Sequence, residues 1–155
     1  KGIGPVKAIQ LKAVAELSRR IARTNRGYQL QMNNPKTIAD YFMEDMRHHR
    51  VEVFKGAFFD AKCNFIGSET VAKGSLSFAY VSPAELFRKA LLKNAVMIVI
   101  LHNHPSGDPT PSREDLELTQ QIARGAQLLG ITLADHIVIG DNRYYSFREN
   151  HRLET

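Results

Sequence analysis

The chain has 155 residues, of which 43% are hydrophobic and 24% charged, a make-up that fits one globular domain with an appendage. No apolar run reaches the roughly eighteen residues that a membrane span needs, no signal-peptide pattern opens the chain, and a lone cysteine, Cys63, leaves no intrachain disulfide framework. A cytoplasmic protein without a membrane partner is therefore expected, and an opening Lys1 in place of Met is what a piece of a longer chain would show.

The net charge of +5 is unevenly spread. Residues 1–30 hold Lys1, Lys7, Lys12, Arg19, Arg20, Arg23 and Arg26 against Glu16 alone, whereas the other 125 residues carry 14 basic and 15 acidic side chains. A polyanion partner, DNA above all, is the expectation for this segment. Within it, Gly2 and Gly4 flank Ile3, and Pro5 occupies a first helical position. The apolar stripe Ile9, Leu11, Val14, Leu17 and Ile21 then marks a helix. The glycines read either as a tight hairpin presenting backbone amides to a phosphate or as a simple helix start.

The stretch 25–34 lacks periodicity and reads as a linker, so that residues 35–155 form the main domain. Asn34 caps a helix with Pro35 in its first turn, whose buried face is Ile38, Tyr41, Phe42 and Met46 and whose end is His48 and His49. Those two histidines read as a solvated helix end rather than as ligands. RVEVFKGAFFD and FIGSETVAKG follow as two strands of a hairpin around the turn DAKCN, with Cys63 as an incidental turn residue. Ser82 and Glu85 predict a capping box for the helix after it.

The run AVMIVIL, Ala95 to Leu101, reads as a buried strand leading into HNHPSGDPTPSRED. In extended backbone His102 and His104 project to the same side. Ser112 is a helix N-cap that places Asp115 in the first turn. If the loop folds back, two imidazoles and one carboxylate make a three-ligand set for Zn²⁺ with a fourth position open, the pattern of a catalytic rather than a structural site. The next amphipathic helix, REDLELTQQIARGAQLLG, ends at Gly130, and ITLADHIVIG and RYYSF close the chain as strands around GDNR. The order ββ-α-β-α-β-β predicts an α/β (α+β) domain, a mixed sheet flanked by helices.

The stretch HNHPSGDPTPSRED resembles the JAMM (MPN-plus) metalloprotease signature H-x-H-P, six residues, S-x-x-D. It meets it at His102, His104, Pro105, Ser112 and Asp115. The wording between those positions, together with GIGPVKAIQLKA and DHIVIGDNRYYSF, resembles the bacterial RadC family. The resemblance implies the cytidine deaminase-like JAMM fold, and it implies that residues 1–24 are half of a helix-hairpin-helix DNA-binding motif. It also implies a zinc hydrolase acting on an amide or isopeptide bond of an unidentified protein or peptide. The metal ligands would be His102, His104 and Asp115; the catalytic groups would be Glu52 as proton acceptor and Ser112 as a hydrogen-bond donor to water or oxyanion. Glu69 on the second strand is the alternative base, and His136 is either a support to the ligands or a structural histidine. The alternative reading of the whole is a DNA-associated repair or replication accessory whose domain binds metal without turnover.

Overall fold

A computed structural model describes residues 4–24, 30, 32, 34–74 and 81–153. The elements run α1 (Pro5–Thr24), α2 (Pro35–Met46), β1 (Val53–Phe59), β2 (Phe65–Lys73), α3 (Pro83–Leu92), β3 (Met97–Asn103), α4 (Arg113–Leu128), β4 (Thr132–Ile139) and β5 (Tyr144–Ser146). The strands make one five-stranded sheet in the order β2-β1-β3-β4-β5. Only β3 and β4 are parallel, joined across α4; the other neighbours are antiparallel. This is the mixed sheet flanked by helices that the order of the elements predicts.

Period-two alternation on β3 sorts its side chains to two faces. Ile98 and Ile100 enter a core with Phe54, Phe58, Leu86, Phe87, Leu118 and Ile122, beneath α3 and α4. Val99 and Leu101 enter the opposite core with Ile38, Phe42, Met46, Phe59, Ile137 and Ile139, beneath α2. Covered on both faces, β3 can be apolar throughout, which is why AVMIVIL lacks alternation. The next residue in the Ile98–Ile100 series is His102, so the alternation delivers it to the α4 side. Gly56 on β1 lets α3 approach closely, since a Cβ there would lie 2.6 Å from Leu86 Cδ1.

Several local expectations are sharpened or corrected. Asn34 accepts from Lys36 N–H and Pro35 opens α2 as read, but the helix ends at Met46, so His48 and His49 lie just beyond it. The expected capping box of α3 is only half made: Ser82 Oγ accepts from Glu85 N–H at 3.3 Å, while the Glu85 carboxylate turns to Arg88 with two contacts of 2.8 Å. Most of the predicted linker lies outside the described residues, yet Leu30 is buried, its carbonyl accepts from Phe65 N–H, and Met32 N–H donates to Cys63 O. Cys63 itself is a turn residue at φ +63°. α1 is helical, but Ile9, Leu11, Val14 and Leu17 of its apolar stripe, and Val6 before them, are each more than half exposed.

Candidate metal centre

Three elements meet at the carboxyl end of β3. His102 is the penultimate residue of β3 and 1% exposed, and His104 follows two residues later, its N–H donating to Ile139 O at 2.9 Å. The loop then turns back through Gly107, at φ +81°, and is fastened to the β4–β5 turn by Asp141 N–H donating to Gly107 O at 2.9 Å. Gly140 permits that contact, because a Cβ there would lie 2.4 Å from the Gly107 oxygen. Returning, the chain starts α4 at Arg113 with a complete capping box: Ser112 Oγ accepts from Asp115 N–H at 3.1 Å, and Ser112 N–H donates to Asp115 Oδ2 at 2.7 Å.

The box aims the Asp115 carboxylate at both imidazoles. His102 Nε2 lies 3.1 Å from Asp115 Oδ1, His104 Nε2 lies 3.4 Å from Asp115 Oδ2, and the two Nε2 atoms are 3.0 Å apart. His104 Nδ1 is 2.7 Å from the Asp108 carbonyl oxygen, which has no proton to give, so Nδ1 is the donor and a neutral His104 presents a bare Nε2 inward. Burial pushes the Asp115 carboxyl up, yet hydrogen bonds from His102 and His104, made when those rings also carry a proton on Nε2, outweigh it and hold the group far below its ordinary range. The hydrogen bond to Asp115 raises His104 above its ordinary 6.5, opposed by burial and assisted by the Asp108 carbonyl and the charges of Asp115 and Glu52.

This donor set fits a divalent ion. Ligand atoms at about 2.0–2.1 Å from a shared tetrahedral ion stand roughly 3.3 Å from one another; the two imidazole nitrogens are 3.0 Å apart, and each has a carboxylate oxygen near that distance, Oδ1 at 3.1 Å for His102 and Oδ2 at 3.4 Å for His104. Inward-facing nitrogen and carboxylate lone pairs at this spacing repel unless positive charge lies among them, and two imidazoles with one carboxylate are ligands suited to zinc. His102, His104 and Asp115 form a cluster with ligand atoms within 4.8 Å of one another.

Glu52 immediately precedes β1. The β1–β3 register pairs Phe54 with His102 at the end of the ladder, and Glu52, two residues before Phe54, lies close enough for its negative charge to help raise His104. Glu69 lies elsewhere, opposite Gly56, and is engaged by Lys93 at 3.1 Å and Lys89 at 3.9 Å. His48 is likewise remote from the cluster, paired with Glu44 at 3.5 Å on an exposed helix end. Ser112 faces the cluster, but its hydroxyl donates to Asp115 Oδ2 at 2.8 Å. His136 stands behind His102, its Nε2 2.8 Å from His102 Nδ1.

Two side chains escape the sequence reading. Asn103, between the histidines, points to the opposite face: its Oδ1 accepts from Val53 N–H at 2.8 Å and its Nδ2 donates to Val51 O at 3.2 Å. It therefore grips the backbone on either side of Glu52. The alternation that projects His102 and His104 together already sends residue 103 the other way, but the partner on β1 depends on register. Thr119, one turn beyond Asp115 on α4, is 2% exposed and touches His136.

The fold and this cluster define a JAB-type domain equipped to bind a metal. Residues 32–153 match the RadC-like JAB domain family, and the chain belongs to that RadC family. A UPF0758 protein of Caldanaerobacter subterraneus subsp. tengcongensis is 42% identical over 149 residues, covering 96% of this chain and 64% of that protein. UPF0758 proteins of Desulfitobacterium hafniense and Geobacillus sp. (strain WCH70) are also 42% identical, each over 96% of this chain and 66% of their own length. The chain thus spans just under two thirds of these curated relatives.

Proposed function

We propose that this domain is a zinc-dependent hydrolase that cleaves an amide or isopeptide bond in a protein or peptide. The convergence of His102 Nε2, His104 Nε2 and an Asp115 carboxylate within 3.0–3.4 Å, with Glu52 beside it, carries this reading. A zinc ion held there would lower the pKa of water from 15.7 toward roughly 7 and polarise the scissile carbonyl. The chain's own residues do the rest. Glu52, its backbone clamped by Asn103, accepts a proton from the attacking water and hands it to the leaving nitrogen. Ser112 N–H keeps the carboxylate in place, which frees the Ser112 hydroxyl to turn from Asp115 toward the developing oxyanion.

The test is Glu52→Gln, assayed for zinc content and for hydrolysis of peptide- and isopeptide-linked substrates. Zinc is expected to stay stoichiometric while turnover falls by about 10²–10⁴-fold. Unchanged turnover overturns Glu52 as base; a wild-type protein that binds zinc but cleaves nothing favours an accessory role without turnover.

A second reading concerns α1, where the basic Lys7 and Lys12 and a row of apolar side chains are exposed. We propose DNA as its partner. Binding to duplex DNA should weaken steeply with salt and depend on residues 1–30; salt-independent binding, or binding unaffected by their deletion, rejects it.

A further inference from the structure

The cluster is backed by a chain of polar atoms that the proposed hydrolysis does not use. Thr119 Oγ1 lies 2.5 Å from the backbone carbonyl oxygen of Asp115 and 2.6 Å from His136 Nδ1. His136 Nε2 in turn lies 2.8 Å from His102 Nδ1. The proton order along this chain follows from what each atom can offer. A carbonyl oxygen has no hydrogen, so the close oxygen–oxygen contact requires the single Thr119 hydroxyl proton. Thr119 Oγ1 must then accept from His136 Nδ1–H. With that proton placed, neutral His136 has a bare Nε2, and the contact to His102 requires the proton to sit on His102 Nδ1. A neutral His102 is left with a bare Nε2, the atom that faces His104 and Asp115.

Among the described residues, no other hydrogen-bond partner offers another order. His136 is fully buried, stacked on Phe147 with ring centroids 4.6 Å apart and meeting Phe54 edge-on at 6.2 Å. Both of its ring nitrogens are taken, and the ring packs against Phe147 on its face and Phe54 at its edge. His104 obtains the same order from a different source, the Asp108 carbonyl on the loop. Thr119 also sits one helical turn from Asp115 on α4, so one hydroxyl touches the backbone of one candidate ligand and, through His136, orders the ring of another.

We propose that Thr119 and His136 are positioning residues that hold His102 in the one tautomer able to ligate a metal through Nε2. This rests on the metal-binding part of the reading above and goes beyond it by assigning residues that touch neither metal nor substrate. Outer partners of metal-bound histidines fix tautomer and ring orientation in this way.

The decisive variant is Thr119→Val, which keeps the shape of the side chain and removes the hydroxyl. Without that acceptor His136 is free to carry its proton on Nε2 and donate to His102 Nδ1, which puts the His102 proton on Nε2, pointing into the site. Zinc affinity, measured by chelator competition, is expected to fall about 10–100-fold, with Thr119→Ser restoring it. Long-range ¹⁵N–¹H spectra of the metal-free wild type, in buffer where both site histidines are neutral, should show His102 protonated on Nδ1 and His136 on Nδ1. Those spectra need no variant and so stand even if Thr119→Val fails to fold. Wild-type His102 protonated on Nε2, or Thr119→Val with unchanged zinc affinity, overturns the relay and leaves the metal reading intact. A wild type that takes up no zinc overturns the metal reading itself.

Discussion

Helices α3 and α4 begin alike, each with a serine N-cap and an acid three residues later, yet only one of the two acids joins a site. At α3 the Glu85 carboxylate pairs with Arg88, and that hydrogen bond is the main reason its carboxyl drops to about 2. At α4 the Asp115 carboxylate bends back to Ser112 N–H and faces two histidines. Side-chain length and surroundings separate them. Glutamate carries an extra methylene, reaches past its own cap and finds a cation one turn on; aspartate is too short to leave the cap and is 8% exposed beneath the metal loop. The same S-x-x-acid pattern is therefore a helix start alone in one place and, in the other, a helix start that also holds a candidate metal ligand.

The sharpest way to break this comparison is to neutralise each acid in turn. Asp115→Asn removes an inner ligand, so its cost to zinc affinity should exceed the about 10–100-fold typical of an outer partner; zinc should be absent from the dialysed protein. Glu85→Gln should leave zinc content unchanged. Equal zinc in both variants would show that Asp115 is a cap and nothing more. Next in size is the pair of caps. Ser82→Ala and Ser112→Ala should each cost about 1 kcal/mol of stability in urea unfolding. Only Ser112→Ala should also weaken zinc, by about tenfold, because it alone removes a hydroxyl hydrogen bond, Ser112 Oγ to Asp115 Oδ2 at 2.8 Å, from a candidate ligand. Equal zinc affinity in both variants would remove Ser112 from the site's support.

These contrasts mark what the sequence could reveal. β3 was legible because β-branched residues fill a strand covered on both faces, and the histidines because alternate residues of an extended chain share a side. Asp115 was legible through its cap. Asn103 and Thr119 were not, and His136 stayed open between a support to the ligands and a structural histidine, because these roles depend on which residues lie opposite one another. The β3–β4 register slips between Ile98 and Val99, and no local pattern encodes that slip. The pairing of β1 with β3, equally hidden, is what brings the start of β1, next to Glu52, to the histidine end of β3, while Glu69 falls opposite Gly56. The stripe on α1 was legible as a helix face, but periodicity states where a face points and not what covers it.

Asp135 supplies a finer test of what histidines do for a buried carboxylate. It is buried more deeply than Asp115, 2% against 8% exposed, but its hydrogen-bond partners are neutral donors: Ser146 Oγ at 2.6 Å, Arg148 N–H at 2.9 Å and His136 N–H at 2.7 Å. Burial dominates there and pushes the carboxyl up from 3.8 to about 6. The sign of the consequence follows directly. A carboxyl that holds its proton more tightly when folded stabilises the fold fully below its unfolded pKa, and that contribution is lost as pH rises through about 6. Asp115, depressed instead of raised, does the opposite: its contribution is present above 3.8 and is lost only in strong acid. Comparing wild type with Asp135→Asn by urea unfolding of the zinc-free protein isolates the first effect, since any cost of rearranging the Ser146 hydrogen bond is the same at every pH. Between about pH 5 and about pH 7.5 the wild type should lose about 1 kcal/mol relative to the variant. A difference that is flat with pH, or one that grows in the wild type's favour, would mean that Asp135 is ionised as freely as Asp115, and that burial is not what distinguishes a carboxylate facing histidines from one facing neutral donors.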